Sequence, residues 1–174
     1  MDNDTIYAPA TPTGGAISVV RISGRDAHRM LGEVFSGMDM PHAVIRHGII
    51  EYGGRRIDDA MAVRFVAPHS YTGEDMAEIY CHGGRAVMAG VLDALGRAGA
   101  RLAQPGEFTR RAFESGKMDL SEAGAVMELI GASSQAAAGA ALRQLSGGLK
   151  TRVDAMQKLL TDAMAIIEAG IEYP

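Results

Sequence analysis

The chain has 174 residues, of which 47% are hydrophobic, so it is long enough and apolar enough to bury a core. A net charge of −4, the absence of Trp and an aromatic content of 5% argue against a surface built for non-specific phosphate binding or base stacking. The single Cys81 excludes an internal disulfide, and neither a secretory signal nor a stretch of roughly 18 apolar residues is seen. We therefore expect a cytoplasmic protein with no membrane association.

The first part of the chain predicts strands with one helix among them. Alternation of apolar and polar residues indicates strands, and apolar residues at intervals of three and four indicate a helix. Gly53-Gly54 supplies the turn of a hairpin. The predicted elements are strands at residues 5–8 and 17–22, a helix at residues 25–35 and a hairpin at residues 43–67.

The chain is organised around residues 68–84, which read PHSYTGEDMAEIYCHGG. A polar turn leads into a predicted strand at residues 76–82, and Gly83-Gly84 ends that strand before a predicted helix at residues 86–98. The apolar face of this helix is expected to comprise Val87, Val91, Leu92 and Leu95. A short strand at residues 101–103 and a basic helix at residues 107–115 follow. A strand that runs through a glycine turn into a helix is a common place for a ligand site.

From Asp119 onward the sequence carries only helix signals. Asp119-Leu120-Ser121-Glu122 has the spacing of a capping box, and an apolar stripe with helical spacing continues to Ile171. Ser146-Gly147-Gly148 is expected to kink this helix or to split it in two. We place a boundary near residue 118, between a domain at residues 1–118 and a helical segment at residues 119–174. Because the stripe lacks enough downstream sequence to bury it, we expect the chain to be an N-terminal piece of a longer protein.

Motifs for metal, nucleophilic or nucleotide chemistry are weak. Cys81 and His82 have neither CxxC nor HxxxH spacing, and as strand neighbours they point to opposite faces, so we expect Cys81 to be a buried apolar residue and predict no metal site. The glycine pairs fit neither GxxxxGK[ST] nor GxGxxG, and the only asparagine, Asn3, cannot form an NKxD motif. This chain alone is not expected to hydrolyse a nucleoside triphosphate.

Three charged residues at or near the ends of elements remain: Arg21, Glu78 and Lys117. Each taken alone is most simply a surface charge. Together they could converge on a ligand with a hydrogen-bond-donating head and an acidic tail. The residue pattern leaves both interpretations open.

Several blocks of the sequence resemble, in order and spacing, the N-terminal part of the MnmE (TrmE) family of tRNA modification GTPases. The blocks are DTIYAPATPTGGAISVVRISG, PHSYTGEDMAEIYCHGG, QPGEFTRRAFESGKMDLSEA and ALRQLSG. The resemblance implies an α+β, mixed α/β domain related to the tetrahydrofolate-binding domain of aminomethyltransferases, followed by an all-helical segment. It also implies a homodimer that binds 5-formyl- or 5,10-methylene-tetrahydrofolate.

In this family the whole enzyme modifies C5 of the tRNA wobble uridine with a folate-carried one-carbon unit, together with a flavoprotein partner. By the resemblance, GTP, Mg²⁺ and K⁺ belong to a G domain that this chain lacks, and no catalytic residue is expected here. The family's folate contacts correspond to Arg21 in RISG, Glu78 in ExxxHGG and Lys117 in GKxDL. A carboxylate such as Glu78 can accept paired hydrogen bonds from a pterin, while Arg21 and Lys117 favour carbonyl or carboxylate groups.

Two departures from the family pattern stand out. The chain reads TPTGGA where the family has TPPGxGG, which changes the loop at Gly14-Gly15, and Arg85 replaces a proline at a helix start. Two alternative functions therefore remain open in addition to folate binding. One is a dimerisation scaffold that has lost its ligand, and the other is a stand-alone one-carbon transferase, for which we find no suitable constellation of acid and nucleophile.

Overall fold

The computed structural model describes residues 4–37 and 39–172, which form six strands and six helices. The strands are β1 (Ile6–Pro9), β2 (Ile17–Ser23), β3 (Arg46–Tyr52), β4 (Arg55–Phe65), β5 (Met76–His82) and β6 (Arg101–Leu102). The helices are α1 (Ala27–Val34), α2 (Arg85–Arg97), α3 (Glu107–Glu114), α4 (Leu120–Gly131), α5 (Gln135–Leu145) and α6 (Gly148–Glu172). The predicted fold class, a mixed α/β domain followed by helices alone, is confirmed.

All six strands join one mixed sheet in the order β3-β4-β5-β2-β1-β6. The β1–β6 pair is parallel and the other pairs are antiparallel. Strand β5, predicted at residues 76–82, is confirmed at both ends and lies between β4 and β2. Its central position means that side chains from three strands meet around it.

The sheet has one face covered by helices and one face that is only partly covered. Helices α1 and α2 bury the first face, where the core includes Val20, Ile22, Leu31, Ile79 and Leu95. The predicted apolar face of α2 needs a correction, because Met88 and Ala94 are fully buried with Val91 and Leu95, whereas Val87 and Leu92 are only partly buried.

The second face is buried at the Met76 end of β5 and open at the His82 end. Ser23 and Met76 are at most 2% exposed, whereas Ile17 and Met61, at the other end, are 62% and 41% exposed. The loop at residues 66–75 and helix α3 approach the buried end. The open end therefore presents apolar side chains beside the last residues of β5, where Ile17 pairs with His82 and Met61 with Tyr80.

The chain divides into two compact units between Lys117 and Met118. In the second unit the predicted capping box is confirmed: Asp119 Oδ1 accepts from the Glu122 amide at 2.9 Å, and Glu122 Oε2 accepts from the Asp119 amide at 2.7 Å. The predicted helix is split at Ser146-Gly147, where Gly147 adopts a φ of +75°. Of the two expected outcomes, a kink or a split, the split is therefore confirmed. A further break between α4 and α5 was not predicted, and there Ser134 caps α5. In the described part of the chain, no helix combines the length and apolarity needed to cross a bilayer.

Candidate functional site

Arg21 and Glu78 lie opposite each other on the central strands β2 and β5. Both Arg21 Nη2 and Arg21 Nε donate to Glu78 Oε1, at 2.8 and 2.9 Å. Their side chains are 24% and 13% exposed, so the pair is half-buried on the second face of the sheet. Glu78 is therefore a paired carboxylate within the sheet, and the interpretation of Glu78 as a solvated strand residue is wrong.

Tyr80 holds the second oxygen of the same carboxylate. Its hydroxyl donates to Glu78 Oε2 at 2.8 Å, and burial together with the neighbouring Glu78 charge raises the pKa of Tyr80 to about 12. Tyr80 thus stays a donor at neutral pH. Since each carboxylate oxygen has two acceptor positions, Oε1 is filled by the two Arg21 groups and Oε2 keeps one position for a further donor.

Two aromatic rings cover the guanidinium group of Arg21. The Tyr71 ring centroid lies 4.9 Å from Arg21 Cζ and the Phe108 centroid lies 5.6 Å from it, within the range of cation–π contacts. Tyr71 is itself fixed by a 2.8 Å hydrogen bond to Thr109 on α3. No local sequence pattern indicates this pair of rings, because one comes from the loop at residues 66–75 and the other from α3, far along the chain.

Lys117 lies near the same loop but does not contact the Arg21–Glu78 pair. Its Nζ donates to the Pro68 carbonyl oxygen at 3.0 Å, and its amide donates to Ala112 O at 2.8 Å. Within the described residues no hydrogen bond joins it to Glu78 or Arg21. The structure thus pairs two of the three predicted contact residues directly and connects the third through the loop, and their shared role in ligand binding stays a prediction.

A buried ionic network anchors the elements that carry the two rings. Glu107, whose side chain is 1% exposed, accepts from Arg101 Nη2 at 2.7 Å. Arg111, with a side chain 5% exposed, reaches Asp4 Oδ1 at 2.5 Å and Glu74 Oε1 at 3.3 Å. The hydrogen bond from Arg101 outweighs burial and lowers the pKa of Glu107 to about 2. The sequence showed only a basic helix here, since the partners lie up to 107 positions apart.

Cys81 and His82 have different surroundings. Cys81 is 2% exposed and burial raises the pKa of its thiol, which confirms the prediction of a buried apolar residue. His82 is held by Asp58, whose Oδ1 accepts from the ring Nδ1 and whose Oδ2 accepts from the His82 amide, both at 2.8 Å. In residues 4–37 and 39–172, no cluster of three metal-ligating side chains occurs.

The loop at Gly14-Gly15 packs against Gly83. The Gly14 amide donates to Gly83 O and the Gly83 amide donates to Ala16 O, both at 3.1 Å. In the β2–β5 register Ile17 faces His82, four positions from the Arg21–Glu78 pair, which is about 13 Å along the strand. The change in loop sequence therefore lies at the open end of the sheet, away from the paired carboxylate.

Both units match models of one protein family. Residues 5–117 match the GTP-binding protein TrmE N-terminus, and residues 120–174 match the MnmE helical domain. The tRNA modification GTPase MnmE of Symbiobacterium thermophilum is 44% identical over 182 residues, which covers 100% of this chain and 40% of the relative. The proteins of the same name from Thermotoga maritima and Caulobacter vibrioides are each 44% identical, covering 98% of this chain and 38% of the relative. The chain thus spans about two fifths of the length of these relatives.

Proposed function

Because the chain belongs to the MnmE (TrmE) family of tRNA modification GTPases, we propose that it forms the folate-binding and dimerisation part of such an enzyme, with the first helices of its helical domain. The whole protein, on this proposal, hydrolyses GTP and works with a flavoprotein to modify C5 of the tRNA wobble uridine. Folate supplies the one-carbon unit for that modification. The chain itself contributes binding and self-association, without GTP turnover.

The observation that carries the proposal is the half-buried Glu78 carboxylate held by Arg21 and Tyr80. A pterin presents an amino group and a ring N–H side by side, and a carboxylate matches such a donor pair with both of its oxygens. The Glu78 carboxylate therefore offers acceptors that fit the donor pair at the head of tetrahydrofolate. The site also fits an uncharged, hydrogen-bond-donating head such as a pterin better than an anionic head, which would face the Glu78 charge.

Binding by both carboxylate oxygens requires Arg21 to move. Both of its N–H groups occupy Glu78 Oε1, so a ligand donor can take that oxygen only when Arg21 withdraws. The released guanidinium is then free to donate to a carbonyl oxygen on the ligand. On this proposal Arg21 exchanges an internal partner for a ligand acceptor while it stays in contact with the Tyr71 and Phe108 rings.

Calorimetric titration with 5-formyl-tetrahydrofolate tests the proposal. Wild-type chain should bind about one ligand per chain, and Glu78→Gln should weaken binding at least about tenfold, since hydrogen bonds to a charged group contribute about 1.5–3 kcal/mol. The exposed Glu51→Gln on β3 is the matched control and should bind like wild type. Equal affinity of Glu78→Gln and wild type would refute the site.

Light scattering on the same samples distinguishes folate binding from the alternative function, a dimerisation scaffold without a ligand. A well-folded dimer that gives no heat with the ligand would support a dimerisation scaffold in place of folate binding. The specific observation that favours this alternative is that both oxygens of Glu78 already have donors within the protein.

A further inference from the structure

Two buried hydroxyl groups join the loop at residues 66–75 to strand β2. Ser23 and Thr72 are both 0% exposed, and their side-chain oxygens lie 2.7 Å apart. Ser23 Oγ also donates to Glu74 Oε2 at 2.7 Å, and the Glu74 amide donates to Thr72 Oγ1 at 3.3 Å. A buried polar cluster of this kind is stable only when its donors and acceptors are matched, so its geometry is narrowly defined.

The direction of each hydrogen bond follows from the number of hydrogens that each group carries. A hydroxyl has one hydrogen, and the Glu74 carboxylate, which also accepts from Arg111 Nη1 at 3.3 Å, only accepts. Because the Ser23 hydrogen goes to Glu74, Thr72 supplies the hydrogen between the two hydroxyls. The bonds therefore form a one-way cycle, from the Glu74 amide through Thr72 and Ser23 back to the Glu74 carboxylate.

This cycle accounts for the place of the Tyr71 ring. Arg21 and Ser23 are two positions apart on β2, so their side chains share one face and stand about 7 Å apart. Tyr71 directly precedes Thr72 in the loop. When Thr72 is bonded to Ser23, the Tyr71 ring lies over the guanidinium group of Arg21, with its centroid 4.9 Å from Cζ.

The contacts of the same loop with α3 do not by themselves fix Tyr71 relative to Arg21. Ser115 Oγ, just after α3, donates to the Thr72 carbonyl oxygen at 2.6 Å, and the Tyr71 hydroxyl shares a 2.8 Å hydrogen bond with Thr109. These bonds tie the loop to α3, whereas the Thr72 hydroxyl ties the residue next to Tyr71 to the strand of Arg21. Loss of that hydroxyl should let the ring shift away from the guanidinium.

We propose that the Ser23–Thr72 hydroxyl pair positions Tyr71 over Arg21, and that Thr72 thereby sets the affinity of the Arg21–Glu78 site for its ligand. Thr72 is fully buried, so it is a positioning residue that acts through Tyr71. The effect on affinity rests on the proposed function, in which Arg21 turns to a ligand carbonyl while it stays in contact with its rings. The placement of Tyr71 does not depend on a ligand.

Nuclear magnetic resonance of the ligand-free chain tests the placement. The Tyr71 ring shifts the resonance of the nearby Arg21 Nε hydrogen, Arg21→Lys identifies that signal, and Tyr71→Leu gives its position without the ring. Thr72→Val keeps the shape of the side chain and removes the hydroxyl, whereas Thr72→Ser keeps the hydroxyl. Thr5→Val is the matched control, because Thr5 is 3% exposed and its Oγ1 accepts from the Asp26 amide, outside the cycle.

The Arg21 signal of Thr72→Val should move most of the way toward its position in Tyr71→Leu. In Thr72→Ser and in Thr5→Val it should keep the wild-type position. Ser23→Ala removes the same bond from the other side and should act like Thr72→Val, so it decides the question if Thr72→Val does not fold. An unmoved signal in the folded variants that lack the bond overturns the placement.

Calorimetry with 5-formyl-tetrahydrofolate tests the effect on affinity through a double-mutant cycle. Thr72→Val should weaken binding about three- to tenfold, as expected for a lost cation–π contact, and Thr72→Ser should bind like wild type. In the Tyr71→Leu background Thr72→Val should cause no further loss. An equal loss in both backgrounds overturns the positioning role. If wild type binds no ligand although the Arg21 signal responds as expected, the proposed function and the affinity effect are overturned, whereas the placement of Tyr71 is supported.

Discussion

At the scale of single residues, Glu107 shows how a nearly buried carboxylate is kept charged. Arg101 donates to it at 2.7 Å and its pKa is about 2, against an ordinary value of 4.5. A lowered folded-state pKa stabilises the protein above the unfolded pKa, and this contribution is lost as the pH falls through the folded pKa. The shift corresponds to roughly 3 kcal/mol at neutral pH, an order-of-magnitude figure for a coupled network.

We expect Glu107→Gln to lower the free energy of unfolding by about 3 kcal/mol at pH 7, since it removes the charged acceptor that Arg101 and Arg111 share. The difference from wild type should shrink as the pH falls from about 5 toward about 2, because the wild-type carboxylate becomes protonated there. Urea unfolding of both proteins across this pH range measures the difference in their free energies of unfolding. The exposed Glu51→Gln serves as control, and a difference that stays constant with pH would contradict the assignment.

At the scale of elements, the turn between β5 and α2 depends on the absence of a side chain at Gly83. A Cβ there would overlap the Gly15 carbonyl oxygen and lie 2.8 Å from its carbon, both of them backbone atoms that cannot rotate away. We expect Gly83→Ala to lower the free energy of unfolding by about 1–3 kcal/mol or to detach the loop at residues 11–16.

Gly84→Ala is the matched control for this turn, because a Cβ at Gly84 meets nothing within 4 Å. As a change at the residue preceding α2, it should cost less than about 1 kcal/mol. Thermal unfolding of both variants, with limited proteolysis of the loop, measures the difference. Equal stability and equal cleavage of the two variants would show that the loop does not depend on contact with Gly83.

The capping box of α4 gives a second prediction at this scale. Asp119→Ala removes the oxygen that accepts from the Glu122 amide and should cost about 1 kcal/mol, within a range of about 0.5–2. Hydrogen exchange of the intact chain should show faster exchange in the first turn of α4. Glu128→Gln, a charge change later in the same helix, should leave that exchange unaltered. An unchanged first turn in Asp119→Ala would mean that other contacts hold the helix start.

Most strands and helices could be predicted from the sequence, because the spacing of apolar residues and the positions of glycines are local signals. Strand β5 and the capping box were predicted at the positions where they occur. The break between α4 and α5 was missed although Ser134 is a common capping residue, because the surrounding alanines continue the helical pattern.

The site was only partly readable from sequence. Glu78 could be singled out as a carboxylate among strand formers, but its pairing with Arg21 depends on the β2–β5 register across 57 positions. The Tyr71 and Phe108 rings and the Glu107 network likewise depend on long-range packing. Local pattern therefore locates the candidate residues, whereas only the fold shows which of them touch.

At the scale of the whole molecule, the first unit buries a continuous core, whereas the last helix buries little. The described apolar side chains of α6 are exposed, among them Met156, Leu160, Met164, Ile167 and Ile171, which are between 61% and 74% exposed. An isolated helix is marginal in water even at favourable composition, because nucleation is costly and tertiary packing supplies most helical stability. The stability of α6 should therefore differ sharply from that of the sheet.

We expect amides of α6 to exchange at least about tenfold faster than those of β5 in the intact chain at low concentration, with α4 between them, since local stability follows buried contacts. Hydrogen exchange with mass spectrometry at two protein concentrations measures this and uses β5 as internal reference. Protection of α6 that rises with concentration would show that copies cover its apolar stripe. Protection equal to that of β5 even at the lowest concentration would contradict the prediction, because the helix would then bury its stripe against its own chain.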